Sequence, residues 1–226
     1  MKKFRTWFLV LVPLLALSFW LFKAVTKPLP GVELSDLGKD HVTDIFGVKY
    51  NSNPPTSGSH FPIWAKPGIY DRLISDGYLI HSLEHGYVIL SYDCSKLAIS
   101  HKPYAISQVL AHDEPAKDST DSGQFLMHMN FKSKENESWF TPENPPEIEV
   151  ALPESFNSDS CKKLVNRLSE FTKTAQRVIV VPRLGMDTPI VLTAWGRLMG
   201  LNNVDQKSIT NFIKIYHNKG PEATTE

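Results

Sequence analysis

Two kinds of apolar pattern alternate in the C-terminal third of the chain. Across 161–175, leucine, valine and phenylalanine return at helical spacing with charged residues between them, which predicts an amphipathic helix. The runs 177–182 and 189–195 are continuous and rich in β-branched residues, as buried strands are. A second helical pattern begins at Asp205. This region is therefore predicted to contain helix, strand, strand and helix, in that order.

Earlier in the chain, the run 87–92 is rich in β-branched and aromatic residues and predicts a central strand. Val48–Asn51 is a candidate for a short strand, and the prolines and glycine after it exclude regular structure until about Phe61. The whole pattern predicts the α+β class: a single domain with a small mixed β-sheet flanked by helices. Its C-terminal order resembles the second half of thioredoxin-like domains, including a Thr-Pro pair just before a strand.

The N-terminus has a different character, since three basic residues in 1–5 precede a long uncharged, apolar run. We interpret 6–25 as a single-pass transmembrane signal-anchor, with 1–5 in the cytoplasm and the bulk of the chain outside it, at the cell surface or in the periplasm. A cleaved signal peptide is the alternative, but no small-x-small triplet follows the run. The residues 26–31 form a proline-containing linker, 32–221 the external domain and 222–226 a tail.

Charge and cysteine content narrow the class of protein. Lysine plus arginine and aspartate plus glutamate are 24 each, so the formal net charge is zero, and nucleic acid is excluded as an expected partner. The two cysteines, Cys94 and Cys161, are predicted to form a disulfide, because an extracytoplasmic compartment is oxidising. Two buried free thiols are the alternative. The sequence identifies no protein partner.

A polar, proline- and glutamate-rich stretch at about 95–158 differs from its surroundings and is interpreted as an insertion on the sheet domain. It contains the triplet Met127, His128 and Met129. Thioether and imidazole together favour copper(I) over zinc, although core packing is the better explanation for the two methionines.

The main chemical signal is the group His81, Glu84 and His85, which lies in an otherwise apolar stretch. His60 adds a further imidazole at the end of the Pro/Gly-stiffened loop 51–60. Three imidazoles and a carboxylate are typical of a transition-metal site, and the first hypothesis is that they bind copper or zinc for metal handling or sensing. The alternative is that these histidines only form hydrogen bonds to buried backbone.

Two other functions remain open. The spelling His-x-x-Glu-His is that of the inverted zincins, which would make Glu84 the base of a metal-dependent hydrolase, so whether the protein is an enzyme stays undecided. That motif requires a helix, and Gly86 with the strand after it leaves room for one turn at most. A metal-free interaction domain is the remaining hypothesis, with Phe61, Trp64 and Tyr70 as exposed aromatic residues.

Three stretches resemble one known family. They read Tyr-Asn-Ser-Asn-Pro-Pro-Thr-Ser-Gly-Ser-His at 50–60, His-Ser-Leu-Glu-His-Gly at 81–86 and Thr-Pro-Ile-Val-Leu-Thr-Ala-Trp-Gly-Arg at 188–197. Through these stretches the chain resembles the bacterial membrane-anchored proteins grouped as domain of unknown function 3105 (DUF3105). The resemblance implies an N-terminal anchor and an external domain but no reaction. It also adds His41 as a further candidate ligand, because a histidine is common near the start of such domains.

Overall fold

The structure is a computed structural model that describes residues 11–21, 28–101 and 151–222. The chain divides into two compact units, Met1–Pro30 and Gly31–Glu226. In the first unit, residues 11–21 form helix α1. No helix within the described ranges has both the length and the apolar character needed to cross a membrane. The transmembrane helix expected at 6–25 therefore stays a prediction.

A mixed six-stranded sheet forms the centre of the second unit. Its strands are β1 (Val32–Glu33), β2 (Gly68–Ile69), β3 (Val88–Tyr92), β4 (Val178–Pro182), β5 (Ile190–Ala194) and β6 (Arg197–Leu201), in the spatial order β1-β6-β5-β3-β4-β2. Strand β3 pairs in parallel with β4 and antiparallel with β5, so it is central, as its apolar run predicts. The α+β class with a mixed sheet is confirmed.

The described residues of this unit include three helices, which are α2 (Asp76–Glu84), α3 (Asp159–Ser169) and α4 (Gln206–Tyr216). Short 3-10 segments lie at Cys94–His101, Glu154–Asn157 and Glu170–Lys173. Ser158 caps α3 by accepting a hydrogen bond from the backbone N–H of Cys161, and Asp205 caps α4 in the same manner. Both helices lie where the apolar spacing predicts them.

The sheet carries a separate apolar core on each face, because successive side chains of a strand point to opposite sides. Val88 and Leu90 of β3 belong to the core that packs with α3 and α4. Tyr87 and Ile89, their neighbours in sequence, belong to the core that packs with α2 and the loop before it. The candidate site lies on this second face.

The structure differs from the predictions at helix α2, at Val48–Asn51 and at strands β1, β2 and β6. Helix α2 has nine residues, all buried, so the expectation of a single turn there was wrong. A helix that is buried all round lacks the alternation of apolar and polar faces by which a helix is recognised in a sequence. Val48–Asn51 is not a strand. Strand β6 was not predicted, because it lacks β-branched residues. Strands β1 and β2 were not predicted either, since each is only two residues long.

Cys94 and Cys161 form a disulfide, as predicted, across 67 positions of sequence. It joins the segment after β3 to the first turn of α3, and both cysteines are part of the core on that face. Met127, His128, Met129 and most of the expected insertion at 95–158 lie outside the described residues.

Candidate metal centre

The end of helix α2 brings its metal-capable side chains together. His81 and Glu84 lie in the last turn, and His85 is the C-cap, whose backbone N–H donates to the carbonyl of His81. Gly86 follows with φ 80°, a left-handed conformation that stops the helix and turns the chain into β3. Because residues four apart share a helix face, the Nε2 atoms of His81 and His85 lie 3.0 Å apart.

The Pro-rich loop that carries His60 is held in place by a buried ion pair. Both terminal nitrogens of Arg183 donate to the carboxylate of Asp76 in the first turn of α2, at 2.6 and 3.1 Å. The Nε atom of the same guanidinium donates to Oδ1 of Asn53 in the loop at 2.5 Å. The hydroxyl of Tyr50 donates to the carbonyl of Ser59 at 2.8 Å. These bonds fix the loop against α2 and so fix the position of His60.

His41 reaches the same place from an earlier segment. The backbone N–H of His60 donates to the carbonyl of Asp40 at 3.0 Å, and that of Val42 donates to the carbonyl of His60 at 2.8 Å. The imidazole of His41 stacks parallel to that of His81, with the ring centres 5.0 Å apart. Its side chain is 46% exposed, so it lies at the solvent edge of the site.

The cluster comprises His41, His60, His81 and Glu84, whose ligand-capable atoms all lie within 4.8 Å of one another. Oε2 of Glu84 is the common neighbour, at 2.9 Å from Nε2 of His60 and 3.7 Å from Nε2 of His41. His60, His81 and Glu84 are buried. The ammonium of Lys39, on an exposed side chain, lies 3.6 Å from Oε1 of Glu84. The cluster is thus a buried carboxylate surrounded by imidazoles, with one open edge.

Backbone carbonyls fix the tautomers of His60 and His81, the buried histidines of the cluster. Nδ1 of His60 lies 2.7 Å from the carbonyl oxygen of Gly58, and Nδ1 of His81 lies 2.6 Å from that of Phe61. A carbonyl oxygen can only accept, so each Nδ1 must carry the donated hydrogen. In a neutral imidazole the other nitrogen, Nε2, then has the lone pair that a metal binds. Both imidazoles are therefore oriented as ligands by the hydrogen bond on their far side.

The electrostatics of His81 favour the ligand form. The pKa of His81 is lowered to about 4, mainly by burial; the bond to Phe61 raises it in part, and the nearby imidazoles of His85, His60 and His41 lower it. The imidazole is therefore neutral at pH 7, and its Nε2 lone pair is not occupied by a proton.

Three of the four ligands predicted from the sequence, His60, His81 and Glu84, lie in this cluster together with His41, the candidate added by resemblance. His85 lies outside that group of four but touches it through His81. On its other side, Nε2 of His85 is 3.6 Å from Oε2 of Glu222.

The aromatic residues proposed as an exposed recognition surface have a different place. Phe61 is buried in the core, and Trp64 and Tyr70 are half-buried. The ring of Trp64 lies 5.5 Å from that of His81 and 4.8 Å from that of His85, between centres. The expectation that these three residues are exposed was wrong, and Trp64 covers the histidines instead.

Two residues near the cluster were missed by the sequence reasoning: Lys39 and Glu222. Both are exposed, polar and distant from the His-rich stretch in sequence, so no pattern marks them. Helix α2, which positions half of the site, carries recognisable end signals in the capping Ser75 and in Gly86, and these could have revealed it.

Together, the sheet and the cluster define an α+β domain with a candidate metal centre between a buried helix and a proline-rich loop. The chain belongs to the family described as Protein of unknown function (DUF3105), whose sequence profile matches residues 41–108 and 154–226, more than half of the chain. All four residues of the cluster lie in the first matched range. No curated protein and no solved structure matches the chain.

Proposed function

We propose that this domain binds a transition-metal ion, zinc or copper, through His60, His81, Glu84 and the more exposed His41, for metal handling or sensing outside the cytoplasm. One observation carries the proposal. Nε2 of His60 and Oε2 of Glu84 face each other at 2.9 Å inside the protein, although the bond from Nδ1 to Gly58 leaves Nε2 as an acceptor in the neutral imidazole. Two acceptors in contact need a cation or a proton between them.

The separations of the donor atoms suit a metal of this size. Zinc binds imidazole nitrogen and carboxylate oxygen at about 2.0–2.2 Å in tetrahedral sites, so neighbouring ligand atoms lie roughly 3.4 Å apart. The Glu84 oxygen is 2.9 and 3.7 Å from the nitrogens of His60 and His41, on either side of that value. Small side-chain movements would therefore complete the coordination.

The donor set guides the choice of metal. Three imidazoles and one carboxylate suit zinc or copper(II), whereas copper(I) prefers sulfur ligands. Both cysteines are in the disulfide, on the other face of the sheet. The case for copper(I) rests on Met127 and Met129, which lie outside the described residues.

The hydrolytic alternative gains no support from the position of Glu84. A general base must face an open coordination position to activate water. The Glu84 carboxylate is instead 2% exposed and lies among the imidazoles as one of the candidate ligands. Likewise, the metal-free interaction domain loses its proposed aromatic surface, because Phe61 is buried.

The proposed location has two supports. A disulfide is typical of proteins outside the cytoplasm, and the basic, then apolar N-terminus is typical of a signal-anchor. A thioredoxin-like arrangement of the C-terminal half also remains a proposal, supported by the antiparallel pair β5–β6 beside the parallel pair β3–β4.

The test is the metal content of the purified full chain, by elemental mass spectrometry before and after mild chelation and reloading with zinc or copper. We expect about one ion per wild-type chain, and a loss of that ion in the separate variants His60→Ala and His81→Ala. The matched control is His217→Ala, which removes a half-buried histidine outside the cluster. Unchanged stoichiometry in both site variants would refute the proposal.

A further inference from the structure

A second group of ligand-capable atoms, from His81, His85 and Glu222, adjoins the cluster and shares His81 with it. Nε2 of His85 lies 3.0 Å from Nε2 of His81 and 3.6 Å from Oε2 of Glu222. These separations again lie on either side of the roughly 3.4 Å expected between ligands of a tetrahedral ion. His81 thus stands between two groups, the one with Glu84 and the one with Glu222.

The C-terminal segment, residues 218–222, is hydrogen-bonded to the backbone at the end of helix α2. These bonds define the position of Glu222. The backbone N–H of Asn218 donates to the carbonyl of Gly86 at 2.8 Å, and that of Glu222 donates to the carbonyl of Glu84 at 3.1 Å. Gly220 lies so close to this helix end that a side chain there would overlap the carbonyl of Glu84 and the amide of Gly86. These backbone contacts therefore hold Glu222 next to His85, with its carboxylate near the imidazole.

We propose that His85 and Glu222 form a second cation position, which shares His81 with the inner site and through which a single zinc or copper ion enters or leaves. This inference rests on the proposed metal-binding function. His81 has one lone pair at Nε2, since Nδ1 donates to Phe61, so it binds one ion at a time. The two positions are consequently alternatives for one ion.

The transfer is balanced in charge. In the proposed transfer the ion would keep its bond to His81, while His41, His60 and Glu84 would be replaced by His85 and Glu222. Each position supplies one carboxylate, so the ion would have one anionic ligand before and after the exchange, while a proton would take the place of the ion between His60 and Glu84. Glu84 is 2% exposed and Glu222 is 45% exposed, so the exchange moves the ion from a buried ligand to one in contact with solvent. Trp64 covers the imidazoles of His81 and His85 along this route.

The experiment measures how fast zinc leaves the loaded full chain when an excess of a chromophoric chelator is added in a stopped-flow instrument. The same chelator, at equilibrium, gives the affinity for zinc. In Glu222→Gln we expect release to slow by about tenfold, while the equilibrium affinity stays within about threefold of wild type. The same result is expected for His85→Ala. Glu170→Gln, which removes an exposed carboxylate in the 3-10 segment Glu170–Lys173, is the control and should release zinc at the wild-type rate.

The outcomes separate this inference from the function on which it rests. Wild-type release rates in both Glu222→Gln and His85→Ala, with tight zinc binding retained, would overturn the second position and leave the inner site intact. A loss of equilibrium affinity in Glu222→Gln as large as that in His60→Ala would also overturn it, because Glu222 would then be a ligand of one common site. Failure of the wild-type chain to bind zinc or copper would overturn the proposed function and this inference together. Since Glu222 is half-exposed, its substitution leaves the core undisturbed.

Discussion

The contact between Glu84 and His60 is the most informative feature at the scale of single residues. A buried carboxylate faces an imidazole nitrogen, and the other nitrogen of that ring already donates to a carbonyl. Glu84→Gln places an amide N–H where it can donate to that nitrogen. We therefore expect the metal-free variant to be as stable as wild type or more stable, while its affinity for zinc falls by at least about tenfold.

Chemical denaturation and zinc titration of the same samples check this prediction. If the role of the pair were only structural, with a protonated His60 bound to the carboxylate, the glutamine variant would lose stability instead. A clear destabilisation with unchanged zinc affinity would contradict the metal site.

His81 gives the metal-free protein a specific dependence on pH. Burial lowers its pKa to about 4 in the folded state, against 6.5 in the unfolded chain. Between these values the unfolded state binds a proton that the folded state does not, so stability falls as the pH falls from about 6.5 to 4, by up to about 1.4 kcal/mol per pH unit. Urea titrations across this range, with His81→Gln as the comparison, measure the slope. Equal slopes in the two proteins would show that His81 does not titrate in this way.

Most residues of the site can be predicted from the sequence. The others cannot, and the reason differs from residue to residue. His60, His81 and Glu84 can be chosen from local composition alone, because imidazoles and carboxylates are conspicuous in apolar or proline-rich stretches. His41 has no such surroundings and enters by family resemblance. Lys39 and Glu222 reach Glu84 and His85 only through the fold, since nothing in the neighbouring sequence marks an exposed charge as a neighbour of a buried one.

At the scale of elements, the C-terminal segment, residues 218–222, packs directly against the end of helix α2 beside the site. Gly220 permits this contact, because any side chain there would overlap backbone atoms of Glu84 and Gly86. Gly220→Ala is expected to cost about 1–3 kcal/mol of unfolding free energy in urea denaturation. Lys219→Ala changes the exposed neighbour and should stay within about 0.5 kcal/mol of wild type. Equal stability of the two variants would show that the segment is not packed there as described.

The elements also show which patterns a sequence reveals. Strand β3 and helices α3 and α4 were predictable, because each presents either a continuous apolar run or a single apolar face. Helix α2 presents neither, as every one of its residues is buried. Strand β6 could not be recognised, because it contains no β-branched or aromatic residue. The element that carries the site was thus the hardest to recognise.

At the scale of the whole molecule, the sheet separates a stabilising face from the face with the site. The disulfide lies on the first and closes a loop of 67 positions, for which chain entropy gives roughly 4 kcal/mol. We expect the double variant Cys94→Ser with Cys161→Ser to lose stability of that order in urea while its folded form binds zinc as tightly as wild type. A tenfold weaker affinity in the folded variant would contradict the separation of the two faces.

Metal binding should in turn stabilise the whole domain, because the ligands converge only when helix α2, the loop that carries His60 and the segment that carries His41 are folded together. At a free zinc concentration 100 times the dissociation constant, the gain in unfolding free energy is expected to be about 2.7 kcal/mol. Denaturation curves with and without zinc measure it, and His60→Ala should show no gain. A domain that is equally stable with and without zinc would not bind the ion in its folded state.

The most direct measurement for the central claim is X-ray absorption at the zinc edge of the loaded full chain. We expect imidazole nitrogens and one carboxylate oxygen around the ion, with the outer-ring scattering of imidazole reduced in His81→Ala. Sulfur ligands, or a zinc environment identical in wild type and in His81→Ala, would contradict this expectation.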